Sequence, residues 1–399
     1  MSTDRPWPAV AHRHDGPNRA TLRNHTGTTV VPSPEMRVIR VFHSGVVAEW
    51  RQRDRELVAS GVDLTYISAA AWDEGGTTVR LEPGEDSFAT GARTVGRHPY
   101  GFIYDPRPIW RALRSGPVDV LDVHEEPASF AAFELLVLRA LSRRRVPMLF
   151  YGAQNIEKRF PPPFRWIEQW ALRTAAGTYC CNAEAGEIFR RKGFRGLVRV
   201  VPLGVDLARF APAAAQLPPR PFTVGFVGRI ERRKGVFVLL DAIAALPGDI
   251  ELHVYGAGPD EDEFCARVGS LGLGSRVHVH GFVRHGDLPD CYRRLHALAV
   301  PSQTTPGWVE QFGRVVIEAM ASGVPVIGST SGSIPEVVGN AGIVVAEADA
   351  AAWRDAVRSL ADDPVRHAEL VAAGLRHAEQ FSWSAVAAEH LALYRAVAR

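Results

Sequence analysis

From Met36 onward, short β-branched runs alternate with longer stretches whose apolar positions recur every three to four residues. "MRVIRVFH" and "VDLTYIS" read as strands, with "AEWRQRDRELVASG" between them as a helix stopped by Gly61. "VDVLDVH", "VPMLFYG" and "GTYCCN" are further strands, separated by the helices "ASFAAFELLVLRALS" and "PFRWIEQWALRTA". Such alternation predicts a parallel sheet with helices on both faces. "VPLGVDLARFAPAAAQLPPRPF" interrupts it with proline and alanine and reads as a linker. The alternation then restarts, with strands at "FTVGFVG", "IELHVYG", "RVHVHGF", "HALAVPS", "VPVIGST" and "AGIVVAE" and helical segments from Ala350 to the end.

The pattern therefore divides the chain into five parts. Residues 1–35 are a polar leader expected to be disordered. Residues 36–206 form a first Rossmann-like domain, 207–220 the linker, 221–382 a second Rossmann-like domain, and 383–399 a closing helix. The fold class is α/β: two parallel-sheet domains facing across a cleft. Ligands bind at the carboxyl ends of such strands, so the cleft is the expected site.

Composition narrows the function. A chain of 399 residues, 46% apolar and 23% charged, suits a soluble two-domain protein. A net charge of +2 argues against a general nucleic-acid binder. The charge is uneven: residues 36–206 hold 24 Lys+Arg against 20 Asp+Glu, residues 207–399 hold 18 against 21. A mildly basic first half suits an anionic acceptor or lipid surface; scattered surface charge explains it equally well. Cys180, Cys181, Cys265 and Cys291 include no C-x-x-C and are expected to be buried free thiols in a reducing compartment. The leader lacks the apolar core of a signal peptide, and the longest apolar stretch contains Glu134 and Arg139. A cytoplasmic protein is expected, with weak peripheral contact to the inner face of the plasma membrane through the first domain as an option. Met36 is an alternative start.

Three segments of the second half point at one anionic ligand. In "FVGRIERRKGVFVLL" a strand ends at Gly228, with Arg229 next and Lys234 five residues later. A guanidinium can grip two phosphate oxygens and an ammonium adds a point charge; Arg232 and Arg233 are expected to be solvated. "VYGAGPDEDEF" offers Gly256 and Gly258, but Glu261 occupies the third glycine position of a dinucleotide fingerprint, so an NAD site is rejected. Asp260 and Asp262 are expected to serve the first turn of a helix, not a metal. "VEQFGRVVIEAM" should be a loop carrying Glu310, then a helix starting near Phe312 or Gly313 and containing Glu318. Free amides of Gly313, Arg314 and Val315 would bind phosphate. The two carboxylates would flank it and accept hydrogen bonds from hydroxyls on either side, as a nucleotide-sugar presents.

"GRIERRKG" together with "PSQTTPGWVEQFGRVVIEAMASGVPVIGSTSGSIPEVV" resembles the second half of retaining glycosyltransferase family 4, whose members have the GT-B fold and a Glu-x7-Glu motif. "VPLGVDLARF" resembles the segment before their second domain. The resemblance is strong from about Val201 to Glu347 and weaker over the first half. It implies that Arg229 and Lys234 neutralise a leaving diphosphate, that Glu318 binds ribose and that Glu310 contacts the transferred sugar. It further implies that backbone amides from Phe312 to Val315 hold sugar and phosphate, and that the backbone at Val283 touches the base. UDP is the favoured nucleotide.

In the first half, "VDVLDVHEEPAS" ends a strand at His124, where the family has a histidine against the donor sugar. Glu125 and Glu126 are adjacent on an extended chain and cannot share one face. Gly45 in "HSGVVAEW" fits the family's glycine beside the diphosphate, although Ser44 replaces a second one. Gln154 and Asn155 are candidates for acceptor hydroxyls. Trp166 and Trp170, four apart, are expected to be core of one helix face. The expected activity is hexosyl transfer from a nucleotide-diphosphate sugar to a hydroxyl of a glycan, lipid-linked or natural-product acceptor, with no metal and no cofactor. A sugar-nucleotide epimerase and an inactive sugar-nucleotide-binding scaffold are the alternatives.

Overall fold

A computed structural model describes residues 36–398 apart from positions 75, 83, 85, 215 and 216. The leader 1–35 lies outside the described residues. Seven parallel strands form the first sheet: β1 Met36–Val41, β2 Val62–Ala69, β3 Ala89–Ala92, β4 Val120–Val123, β5 Met148–Tyr151, β6 Gly177–Cys180 and β7 Leu197–Val200. Their spatial order is β7-β6-β5-β4-β1-β2-β3. Six parallel strands form the second: β8 Phe222–Val227, β9 Ile250–Tyr255, β10 Val277–Val279, β11 Ala297–Val300, β12 Val326–Ser329 and β13 Ile343–Val345, in the order β10-β9-β8-β11-β12-β13. Each order reverses once, between β1 and β4 and between β8 and β11. A crevice opens at the carboxyl ends of strands at such a reversal.

The central strands are buried on both faces because helices cover both, which is why they read as continuous apolar runs. Val120–Val123 is buried throughout, yet it contains Asp122. That acid is tolerated because Arg40 of β1 pairs with it, while Tyr179 and Tyr394 hydroxyls donate to it at 2.8 and 2.6 Å. A buried charge needs such partners.

Tyr394 belongs to the helix Trp383–Val397. Its apolar face, Val386, Ala387, Leu391 and Leu393, packs against Met36, Val38, Leu57 and Leu64. The last helix of the chain thus returns to the first sheet, a closure expected from the pattern without its direction. Residues 70–119, where the pattern was weak, hold two antiparallel ribbons (Ala71–Glu74 with Thr77–Arg80, Thr94–Val95 with Ile103–Tyr104), β3, and the helix Pro106–Arg114 capped by Asp105.

Two expectations need correction. Cys180 and Cys181 are buried, but Cys265 is exposed and Cys291 half-buried. Trp166 is 64% exposed instead of core, because the helix Phe164–Thr174 buries Ile167, Ala171 and Leu172 and turns Trp166 outward. Trp170, one turn on, does pack against the first core, edge-on to Phe133.

Candidate active site

The loop after β11 and the helix Arg314–Ala321 build one wall of the cleft. Gly313 caps this helix with φ +76°, a left-handed conformation that suits glycine. Glu310, in the loop, accepts from Lys234 Nζ at 2.7 Å and from Ser302 Oγ at 3.0 Å. These two partners lie in different βα units, so the sheet's carboxyl edge brings them together. Lys234 Nζ also sits 4.7 Å from the ring centre of Trp308.

Arg229 stands apart from this pair. Its Nε lies 2.6 Å from Glu231, and its side chain is 64% exposed. Arg233, expected to be solvated, instead pairs with Glu231 at 2.5 Å and lies over Trp308 at 5.0 Å. Arg232 is 64% exposed, as expected of a solvated side chain, while also pairing with Glu263 beside the ring of Phe237.

Glu318 is buried in the helix. It accepts from His285 Nε2 at 3.0 Å, Arg314 Nε at 3.1 Å and the Tyr292 hydroxyl at 2.9 Å. Burial alone would raise its pKa, but the His285, Arg314 and Tyr292 contacts outweigh burial and hold it below the usual value. Glu318, Arg314 and His285 line an interdomain cavity of about 190 Å³ with Gln52, Arg55 and Arg209. Val283, proposed at the base, is half-buried two residues before His285. Phe312 is buried in the core below the helix start.

His124 follows β4 directly, its amide bonded to the Val41 carbonyl at the end of β1. Its Nδ1 is 2.8 Å from the Tyr179 hydroxyl and 2.9 Å from Arg40 Nη2, and its ring stacks on Tyr151 at 3.8 Å. Burial first, then Arg40 and Arg53, keep this imidazole well below its usual pKa and hence neutral. Glu125 and Glu126 do not share a face, as expected. Glu125 accepts from the His43 amide at 2.8 Å and the Tyr104 hydroxyl at 2.6 Å, and meets His43 Nδ1 at 2.6 Å. Burial opposes charge on His43, but Glu125 outweighs it and raises the pKa. Glu126 accepts from the Ala153 amide at 3.2 Å; burial lifts its pKa to about 7.

Asn155 crosses the cleft: its Nδ2 donates to the Glu310 carbonyl at 2.7 Å. Asn182 does the same to Gln311 at 2.7 Å, and the Arg314 guanidinium lies 4.4 Å over Trp50. Gln154 contacts Glu126. Gly45 lies in the turn after β1, where an added Cβ would come 2.2 Å from the Tyr66 hydroxyl. Packing alone therefore requires glycine there. Gly256 and Gly258 likewise face the backbone of Gly228 and Ile230, at 1.9 and 2.3 Å from a built Cβ, which accounts for that glycine pair without a ligand. Asp260 precedes the helix Glu261–Ser270 and accepts from the Arg232 amide at 2.8 Å.

Sequence reasoning missed His43, Arg40, His285, Tyr292 and Trp50. An arginine inside the apolar run of β1 was a readable signal for Arg40. His285 and Tyr292 carry no local signature, since only the folded chain brings them to Glu318.

Family models agree with both halves. Residues 44–209 match the model for Glycosyltransferase Family 4, and residues 209–377 that for Glycosyl transferases group 1. D-inositol 3-phosphate glycosyltransferase of Salinispora tropica is 34% identical over 351 residues, covering 71% of each chain. The chain belongs to glycosyltransferase family 4. Another relative, D-inositol 3-phosphate glycosyltransferase 1 of Catenulispora acidiphila, is 34% identical over 258 residues, 59% of this chain and 60% of the relative. This family 4 chain spans about half to three fifths of the length of several curated relatives. Its GT-B fold is also that of sucrose-phosphate synthase from Thermosynechococcus elongatus (TM-score 0.67, 21% identity, 91% and 99% of the two chains). The UDP complex of Anabaena Alr3699/HepE is similarly close (TM-score 0.69, 18% identity, 90% and 100%).

Proposed function

We propose that this family 4 protein is a retaining glycosyltransferase that moves a hexose-type sugar from a nucleotide diphosphate, UDP by preference, to a hydroxyl acceptor. The observation that carries the reading is the Lys234–Glu310 pair, 2.7 Å apart at the mouth of the helix Arg314–Ala321, with Asn155 of the other domain bonded to the same loop. A cation and a helix N-terminus stabilise a departing diphosphate. Arg229 is free to swing from Glu231 to the phosphates. Glu318 takes the ribose, the Val283 backbone the base, and Glu310 the sugar hydroxyls. Amides from Phe312 to Val315 hold the sugar and phosphate. His124, neutral, donates or accepts a hydrogen bond beside the reacting carbon, and Gly45 lets the turn after β1 approach the diphosphate. The transfer needs no metal in this reading, because protein cations replace it.

Gln154 and Asn155 meet the acceptor. Glu126, in contact with Gln154, favours a neutral hydroxyl compound such as a glycan, although the relatives' names put D-inositol 3-phosphate on the panel. Among the described residues no helix is long and apolar enough to cross a membrane. Exposed Phe133, Leu141 and Trp166, beside Arg143 and Arg145, suit weak contact with an anionic lipid surface.

Calorimetric titration with UDP, GDP, ADP and dTDP tests the donor site. Micromolar binding of one nucleotide, lost in Arg229→Ala and Glu318→Ala, is expected. Failure of every nucleotide to bind folded wild-type protein would overturn the reading. Release of free nucleotide only when an acceptor is present would exclude the epimerase alternative.

A further inference from the structure

Strands β9 and β10 pair in parallel register, with Leu252 beside Val277, His253 beside His278 and Val254 beside Val279. Side chains alternate across a sheet, and paired neighbours share a face. Leu252, Val254 and Val277 enter the second core. The other face then carries Glu251 and His253 from β9, and His278 and His280 from the edge strand and its continuation. This polar face lies on the sheet itself, and none of its four residues belongs to the site described above.

Glu251, His253 and His278 each offer one ligand atom, and these atoms lie within 4.8 Å of one another. Glu251 Oε2 is 3.4 Å from His253 Nε2 and 3.5 Å from His278 Nε2. Two ligands about 2.0–2.1 Å from a tetrahedral zinc ion stand roughly 3.3–3.4 Å apart. The other ring nitrogen of His253, Nδ1, is 3.1 Å from His280 Nε2. His280 in turn stacks on Tyr255 at 4.5 Å, with planes 10° apart. That arrangement orients the His253 ring and selects its tautomer, as the outer partners of metal-bound histidines do.

We propose that Glu251, His253 and His278 form a binding site for a zinc-type divalent cation, with His280 positioning His253. Two imidazoles and a carboxylate suit zinc and its d-block neighbours; magnesium and calcium prefer oxygen alone. His278, with a side chain 39% exposed, leaves the fourth coordination position open to water. The cation would tie the edge strand β10 to β9, and it is separate from the glycosyl transfer.

The test uses full-length protein stripped with chelator and titrated with zinc chloride alone, then with cobalt(II). One zinc per chain and a cobalt spectrum of tetrahedral type are expected. His253→Ala and His278→Ala should each weaken zinc at least tenfold and abolish the cobalt band. His280→Ala should weaken zinc about ten- to a hundredfold while keeping the band. Saturating zinc should raise the melting temperature of wild type by several degrees, and of His253→Ala by far less. Nucleotide binding should be the same in all variants, so that failure here is separable from failure of the donor-site reading. Zinc affinity unchanged in His253→Ala and His278→Ala would place the metal elsewhere, for example on His12, His14 or His25, and overturn the proposal. Absence of zinc binding to wild type would do the same.

Discussion

Lys234 donates to Glu310 at 2.7 Å, and its side chain is 26% exposed. In the proposed transfer an ammonium beside the leaving diphosphate is worth most where charge develops. Lys234→Ala should therefore lower kcat about 100-fold or more under saturating donor, with the fold unchanged by circular dichroism. A loss under threefold would remove Lys234 from the chemistry. Glu126 supplies a different readout. Its pKa is raised by burial to about 7, so the folded state holds a proton that the unfolded state releases near the ordinary 4.5. Stability from this group is then present at low pH and declines as pH rises from about 4.5 to 7. Glu126→Gln should flatten that part of the profile and gain upward of about 1 kcal/mol over wild type at pH 8, but little at pH 4.5. Urea melts at the two pH values decide it. Glu134, also lifted to about 7 by burial, leaves a residual slope in the variant.

Among the elements, two helices matter most. The helix Arg314–Ala321 starts at Gly313, which takes φ +76°. Gly313→Ala puts a Cβ on a left-handed residue, at a cost of about 1 kcal/mol or more. A drop in melting temperature together with weaker nucleotide binding is expected; weaker binding alone would mean that the side chain blocks the site without straining the turn. The helix Trp383–Val397 anchors the first sheet through Tyr394, whose hydroxyl donates to buried Asp122 at 2.6 Å. Tyr394→Phe leaves a buried carboxylate short of one donor and should cost about 1–3 kcal/mol. Denaturant titration measures it, and a cost near zero would show that Arg40 and Tyr179 satisfy Asp122 alone.

At the scale of the whole molecule, the cleft is bridged by a few polar contacts: Asn155 and Asn182 to the carbonyls of Glu310 and Gln311, and Trp50 under Arg314. Interfaces of this kind suit domains that open and close around substrate. Asn155→Ala should loosen the hold on the Glu310 loop and raise acceptor KM severalfold with a smaller effect on kcat. Steady-state kinetics over both substrates would show it, and an unchanged KM would confine Asn155 to a structural contact.

The alternation of apolar runs was enough to establish the two parallel-sheet halves, and a helix expected to start near Phe312 or Gly313 does begin there, at Arg314. These are local matters: strand and helix periods, a glycine stop, a loop before a helix. Trp166 shows the limit, because four-residue spacing says which positions share a helix face, not which face meets the core. The partners of Glu318 show it again. His285 and Tyr292 lie 33 and 26 residues away and reach the carboxylate only through the packing of a whole domain. The return of Trp383–Val397 to the first sheet, the Arg40–Asp122 pair and the face shared by Glu251, His253 and His278 were decided the same way. Each depends on register and topology between distant segments, and a one-dimensional pattern encodes neither explicitly.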